Sequence, residues 1–147
     1  MTEVAGGGFA QRSAERAVLG AFRRAFGDEP ACAARAPARC VLLGEHTLAH
    51  DGVALVVALD REVRIAARAT DGTRVRLAAA GLAERFEFDA AEPDPARAPE
   101  WAAPVVAAAA SLRAAGHALR GFDGAWASSV PAGLGLGART ASAVAAA

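Results

Sequence analysis

The apolar positions of this chain change period several times, and each change marks an element. Ala17, Val18, Ala21, Phe22, Ala25 and Phe26 recur at helical spacing, and Gly27 follows as a stop. Ser13 stands as an N-cap with Glu15 in the first turn, so a helix is expected from Ser13 that buries its Phe-lined face. The Gly-rich residues before it, 1–12, read as a loose terminus. A β-rich stretch follows. Cys32 to Arg35 and Arg39 to Leu43 read as two extended pieces separated by Pro37. Val53 to Leu59 is an apolar run bounded by Asp51-Gly52 and Asp60-Arg61, and Glu62 to Ala69 alternates. Thr73 to Leu77 alternates again, and Asp71-Gly72 before it is the strongest hairpin signal in the chain.

Arg85 to Phe88 adds a short strand, and Pro93, Pro95 and Pro99 mark a loop. An Ala-rich helix is expected from Glu100 to near Gly116. A strand then runs from Gly121 to Ser128, with Phe122 and Trp126 as anchors. Trp101 and Trp126 read as core residues, His50 and His117 as surface residues. Arg61, Arg64 and Arg68, mixed with Glu62, read as a solvated strand face. The chain closes as strand, glycine loop and helix, with Ala145-Ala146-Ala147 still in an apolar helical pattern. That ending is expected of a fragment. No internal repeat and no second domain are evident, so residues 13–147 read as one incomplete domain.

Composition excludes more than it selects. Sixteen basic and 16 acidic residues give a net charge of +0, which offers no electrostatic case for nucleic acid or a membrane surface. Every basic residue is arginine; lysine, tyrosine and asparagine are absent. No lysine can therefore serve as a phosphate contact or a Schiff base. Cys32 and Cys40 fit no zinc pattern and no disulfide framework. The apolar run from Trp101 to Leu112 contains Pro104 and falls short of the roughly 20 residues a membrane span needs. With no signal peptide in view, a cytoplasmic protein is expected.

Two motifs carry chemistry. In the first, Val41-Leu42-Leu43 reads as a buried strand ended by Gly44, and Glu45-His46-Thr47 follow. A carboxylate, an imidazole and a hydroxyl just past a strand end suit a substrate rich in hydroxyl groups. In the second, Pro131-Ala132-Gly133-Leu134-Gly135-Leu136-Gly137 precedes a helix. Its glycines permit close backbone approach, and the helix N-terminus behind it offers free N–H groups and partial positive charge to a phosphate. The spacing matches neither the Rossmann nor the Walker pattern.

Both motifs resemble those of the GHMP kinases, and the first resembles the galactokinase signature, in which Arg-Ala-Pro-Gly-Arg leads through a strand into Gly-Glu-His-Thr-Asp. Here Arg35-Ala36-Pro37-Ala38-Arg39 leads to Gly44-Glu45-His46-Thr47. The resemblance covers roughly Phe26 to Ala147 and implies an α+β domain of the GHMP kinase N-terminal type, a mixed sheet with helices packed on one side, truncated before the family's catalytic aspartate. It implies a catalytic role for Arg39 near the reacting sugar hydroxyl, and substrate contacts from Glu45 and His46. It implies nucleotide contacts from Pro131, Gly133, Gly135, Leu136, Gly137, Arg139 and Thr140. It further implies ATP and Mg2+ as cofactors and a small-molecule sugar as partner. The sequence departs from the pattern in several places, among them Val41 for the strand asparagine and two that bear on ligands. The signature aspartate is Leu48, and the three serines of the loop are Gly137, Ala138 and Arg139, which puts the Mg2+ site in doubt. The leading expectation is a galactokinase-like sugar kinase fragment, the complete relative phosphorylating the anomeric hydroxyl of galactose. A non-catalytic sugar- or nucleotide-binding remnant is the first alternative, and a kinase for another small alcohol the second.

Overall fold

A computed structural model describes residues 7–47 and 50–147. Of the loose terminus expected over residues 1–12, residues 1–6 lie outside the described residues, as does the substitution at Leu48, and residues 7–12 are helical. Helix α1 spans Gly7–Phe26, strand β1 Cys32–Leu43, β2 Leu55–Ala69, β3 Arg74–Ala79 and β4 Arg85–Asp89. Helix α2 spans Ala103–Ala114, β5 Phe122–Ser128 and α3 Ala138–Ala146. The strands form one mixed sheet in the order β1-β2-β5-β3-β4, with β3 and β5 parallel and the other neighbours antiparallel.

Several boundaries differ from the sequence reading. Helix α1 begins at Gly7, so Ser13 is an exposed residue inside it and not its cap. Ala10, Gln11 and Arg12 are good helix formers, and a serine on a solvated face costs a helix little. Pro37 does not split β1. The strand lies at the sheet edge, pairs only with β2, and shifts register between Pro37 and Arg39, which accommodates the missing N–H donor. Asp60-Arg61 likewise does not divide β2, which runs unbroken on both sides of it. Helix α2 starts at Ala103, three residues after Glu100, because the Pro99 carbonyl accepts the N–H groups of Ala102 and Ala103 and forms a turn first.

Asp71-Gly72 joins β2 to β3, yet these strands are not paired. β5 lies between them, antiparallel to β2 and parallel to β3. Gly121 enters that gap, accepting from the Thr70 N–H and donating to the Gly72 carbonyl. A Cβ on Gly121 would lie 2.3 Å from the Arg74 carbonyl oxygen, so only glycine fits where β5 enters the sheet.

The helices lie on both sides of the sheet, not on one. Strand neighbours point to opposite faces. Val63 and Ile65 of β2 pack with Val75, Leu77, Val105, Ala141 and Ala145 beneath α2 and α3. Ala66, Ala125 and Ala127 pack with Val18, Ala21 and Phe22 of α1 on the other face. The face beneath α1 also carries charge, which corrects the reading of Arg64 and Arg68 as solvated. Buried Glu62 accepts from Arg64 and Arg35, and Arg64 also pairs with Glu15. Buried Asp123 accepts from both Nε and Nη2 of Arg76, at 2.6 and 2.7 Å, and from Arg68 at 3.2 Å. The Arg68 and Arg76 guanidinium groups lie over the rings of Phe22 and Phe26. Hydrogen bonding to Asp123, then its charge, raises the Arg76 pKa above its ordinary value. Arg61 is the most exposed member of the arginine series, beside Asp60.

Candidate functional site

The first half of the site is the turn after β1. Gly44 ends the strand at φ +82°, and a Cβ there would lie 2.4 Å from the Val53 carbonyl oxygen. Gly52 is as crowded, its absent Cβ 2.4 Å from Thr47 Cβ. Thr47 fills the space between these glycines. Its hydroxyl lies 2.8 Å from the Gly44 carbonyl and 3.1 Å from that of Val53, and its own carbonyl accepts from the His50 and Gly52 N–H groups. The Thr47 hydroxyl hydrogen is thus engaged inside the turn. Glu45 and His46 stand exposed on the outside, with no ion pair or side-chain hydrogen bond among the described residues. The turn presents a carboxylate and an imidazole on a frame that Gly44, Thr47 and Gly52 hold closed.

The second half is the loop from Pro131 to Gly137. Gly133, Gly135 and Gly137 have φ of +75°, +69° and +75°, while the intervening leucines have negative φ. Alternation of hand along a chain turns successive N–H groups into one concavity that suits an anion. Gly137 caps α3 in the left-handed conformation without a side-chain bond, and its carbonyl takes the first helical hydrogen bond, from Ala141. The N–H groups of Ala138, Arg139 and Thr140 therefore sit at the positive end of the helix with no helical acceptor. Arg139 and Thr140 are exposed on this first turn, and Pro131 opens the loop at the surface.

Both ends of the loop are fixed. The Glu62 N–H donates to Ser129 Oγ, and the Ser129 N–H returns to the Glu62 carbonyl, tying the exit of β5 to β2. On the far side, Trp126 Nε1 donates to Ser142 Oγ at 3.0 Å, and that hydroxyl donates to the Ala138 carbonyl at 2.8 Å. The anchor role expected of Trp126 thus locates the N-terminus of α3. Nothing in the sequence signalled Ser142, since a serine in an Ala-rich helix reads as filler.

Arg39 links the two halves along β1. Its N–H donates to the Leu136 carbonyl at 3.0 Å, and its side-chain Cγ would lie 3.0 Å from a Cβ on Gly137. The absent side chain of Gly137 lets the Arg39 stem cross the end of the loop. Arg39 has no carboxylate within ion-pair distance among the described residues, so its charge is not neutralised by one. Glu45 and His46 lie beyond it on the same strand's terminal turn, with no hydrogen bond to it among the described residues.

The donor set fits a phosphate and not Mg2+. Backbone N–H groups and arginine favour an anion, whereas Gly137, Ala138 and Arg139 provide no side-chain oxygen for a hard cation. Among the described residues no group of three His, Cys, Asp or Glu could hold a metal ion. No described helix is long and apolar enough to cross a membrane.

This mixed sheet with its glycine loop and flanking helices is the N-terminal fold of a GHMP kinase. It superposes on a Methanococcus jannaschii mevalonate kinase with a TM-score of 0.65 at 19% identity, over 78% of this chain and 38% of that one. A Lactococcus lactis galactokinase crystallised with galactose gives a TM-score of 0.72 at 22% identity, over 92% of this chain and 35% of that one. The galactokinase galactose-binding signature matches residues 20–69, which contain Arg39, Glu45 and His46. The chain is 37% identical over 124 residues to the galactokinase of Chloroflexus aggregans, which covers 84% of this chain and 32% of the relative. It is 39% identical over 122 residues to that of a Roseiflexus species, with 82% and 30% covered. The chain thus carries the galactokinase galactose-binding signature and is similar to galactokinases, and it spans about a third of the length of the curated relatives it matches.

Proposed function

We propose that this chain forms the sugar- and nucleotide-receiving part of a galactokinase-type phosphotransferase. Glu45 and His46 contact the hydroxyl groups of a galactose-like sugar, and the loop from Pro131 to Gly137 with the first turn of α3 receives ATP phosphates. Leu136 and Thr140 shape the far wall of that cradle. Arg39, seated on the loop and with no carboxylate at hand, faces the transferring phosphate and the sugar hydroxyl from between them. The observation that supports this reading is the seating of Arg39 against Leu136 and Gly137, which sets the strand leading to Glu45 and His46 against the glycine loop. Phosphoryl transfer depends on positioning and charge neutralisation, and arginine supplies both to an anion.

Neutralisation falls to Arg39 and Arg139 in this reading, because the loop lacks hydroxyl ligands for Mg2+. Calorimetry of the full chain with ATP, with and without Mg2+, tests it. Binding is expected to be nearly independent of the metal and to weaken in Arg139→Ala; strong Mg2+ dependence refutes it. Galactose binding is tested in the same way with Glu45→Gln. Leu48→Asp restores the signature aspartate and is expected to tighten galactose about tenfold or more, the contribution of one hydrogen bond to a charged group. The same lost hydroxyls favour a second reading, a chain that binds sugar and nucleotide without turnover. Assay for sugar phosphate separates the two.

A further inference from the structure

The ladder between β1 and β2 breaks at the place where the glycine loop docks. Pro37 pairs with Glu62 and Arg39 with Ala58, so Ala38 alone stands opposite Leu59, Asp60 and Arg61. A bulge bends its strand and re-aims the side chains beside it. The two anchors of the loop fall on its two sides. On one, Ser129 accepts from the Glu62 N–H through its hydroxyl, and its own N–H donates to the Glu62 carbonyl. On the other, the Arg39 N–H donates to the Leu136 carbonyl. The span of the loop from Ser129 to Leu136 therefore depends on how β1 lies against β2 across the break.

Ladder pairing ordinarily fixes that relation, and between Pro37 and Arg39 it is interrupted. A side-chain pair stands beside the gap. Arg35 Nη1 on β1 donates to Glu62 Oε2 on β2 at 3.1 Å. The other Glu62 oxygen is held by Arg64, which also meets Glu15 of α1, so both carboxylate oxygens are engaged. The Glu62 side chain is 4% exposed and that of Arg35 62%. An ion pair so open at one end adds little stability, and fixing register is the best-attested use of a buried charge. We propose that Arg35 and Glu62 are positioning residues for the glycine loop. Their ion pair holds β1 against β2 beside the break, and so sets the spacing of the two loop anchors and the seat of Arg39. The inference rests on the reading of that loop as the phosphate site.

The test uses the full chain carrying Arg35→Gln, with Arg23→Gln as its match. Arg23 and Glu29 form an ion pair 57 and 62% exposed, with no bond to the loop among the described residues. Either variant is expected to move the melting temperature by less than about 4 °C. In Arg35→Gln, hydrogen exchange at the Arg39 amide is expected to speed up at least tenfold. ATP affinity by calorimetry is expected to fall at least fivefold, and galactose affinity to change less than twofold. Arg23→Gln is expected to alter none of the three. Unchanged exchange at Arg39 in Arg35→Gln overturns the proposal, as does faster exchange with ATP affinity intact. Equal loss of ATP and galactose affinity, or an equal loss of ATP affinity in Arg23→Gln, overturns it in favour of general loosening. An unsubstituted chain that binds no ATP removes the phosphate reading instead, and exchange at Arg39 then decides whether the pair holds the loop anchor.

Discussion

Alanine at Gly137 and at Gly133 should have different consequences, although the two glycines share one backbone conformation. Both have φ of +75°. For alanine the left-handed region costs about 1–2 kcal/mol relative to the ordinary helical region. At Gly133 a Cβ meets nothing within 4 Å, so that strain is the whole perturbation. At Gly137 a Cβ comes within 3.0 Å of Arg39 Cγ, and Arg39 must give way by a few tenths of an ångström. A flexible side chain gives way at small energetic cost, so the stability difference between the two variants should stay below about 1 kcal/mol. The functional difference should be larger, because the Arg39 side chain is displaced in only one of them.

The strain itself must appear somewhere. If the loop of Gly133→Ala keeps its path, about 1–2 kcal/mol is lost from stability, or roughly 2–8 °C in melting temperature. If the unbound loop relaxes, the same strain reappears on binding, and ATP affinity falls about 5- to 30-fold. Thermal melts and calorimetric titration of both variants read the two channels together. The argument is refuted if Gly133→Ala changes neither. The role assigned to the Arg39 contact is refuted if Gly137→Ala binds ATP as well as Gly133→Ala does.

Asp123→Ala should lower stability by about 3 kcal/mol in a melt, the low end for removing one partner of a buried ion pair. The low end applies because the side chains of Arg68 and Arg76 are 30 and 46% exposed and can rehydrate, while that of Asp123 is 1% exposed. Ser142→Ala leaves Trp126 Nε1 without its acceptor and should cost about 1–3 kcal/mol by denaturant titration, with ATP affinity falling as the first turn of α3 loosens. The Asp28 pKa lies below its ordinary 3.8, held there by the Glu29 N–H first and the Arg68 charge second. Its contribution is therefore full above pH 3.8 and is lost as pH falls through the lower folded value, so Asp28→Asn should flatten the acid limb of a stability profile, read by melts across that range.

Local punctuation in the sequence was legible and long-range pairing was not. Gly27, Gly44 and Gly116 stop their elements as expected, because a left-handed residue acts within a few positions of itself. Asp71-Gly72 makes the turn its composition predicts, but no local signal reports that β5 arrives from fifty residues away to separate the strands it joins. The arginines of β2 misled for a related reason. Arg64 and Arg68 alternate as a solvated face would, and only the docking of α1 with Glu15, Phe22 and Asp28 turns that face inward. Glu45 and His46 could be singled out from their motif, and they do stand exposed. Thr47 could not be told from them by type, since a hydroxyl that closes a turn and one that meets a ligand are the same residue on paper.

The two halves of the candidate site are held by different means, and this sets how each responds to change elsewhere. The Glu45–His46 turn is fixed from within, by Thr47 packed between Gly44 and Gly52 and bonded to the Gly44 carbonyl. Nothing in that frame reaches the core, so substitutions under α1 or α2 should leave its shape intact. The glycine loop has no such frame. Its path depends on Ser129 fastened to Glu62 at one end and on Ser142 fastened to Trp126 at the other. Glu62 is itself buried between Arg35 and Arg64, so the charged layer beneath α1 reaches the glycine loop through Glu62. A change that loosens that layer should therefore weaken nucleotide binding before it weakens sugar binding, and Arg39, whose strand pairs with β2 beside Glu62, carries the disturbance from one half to the other.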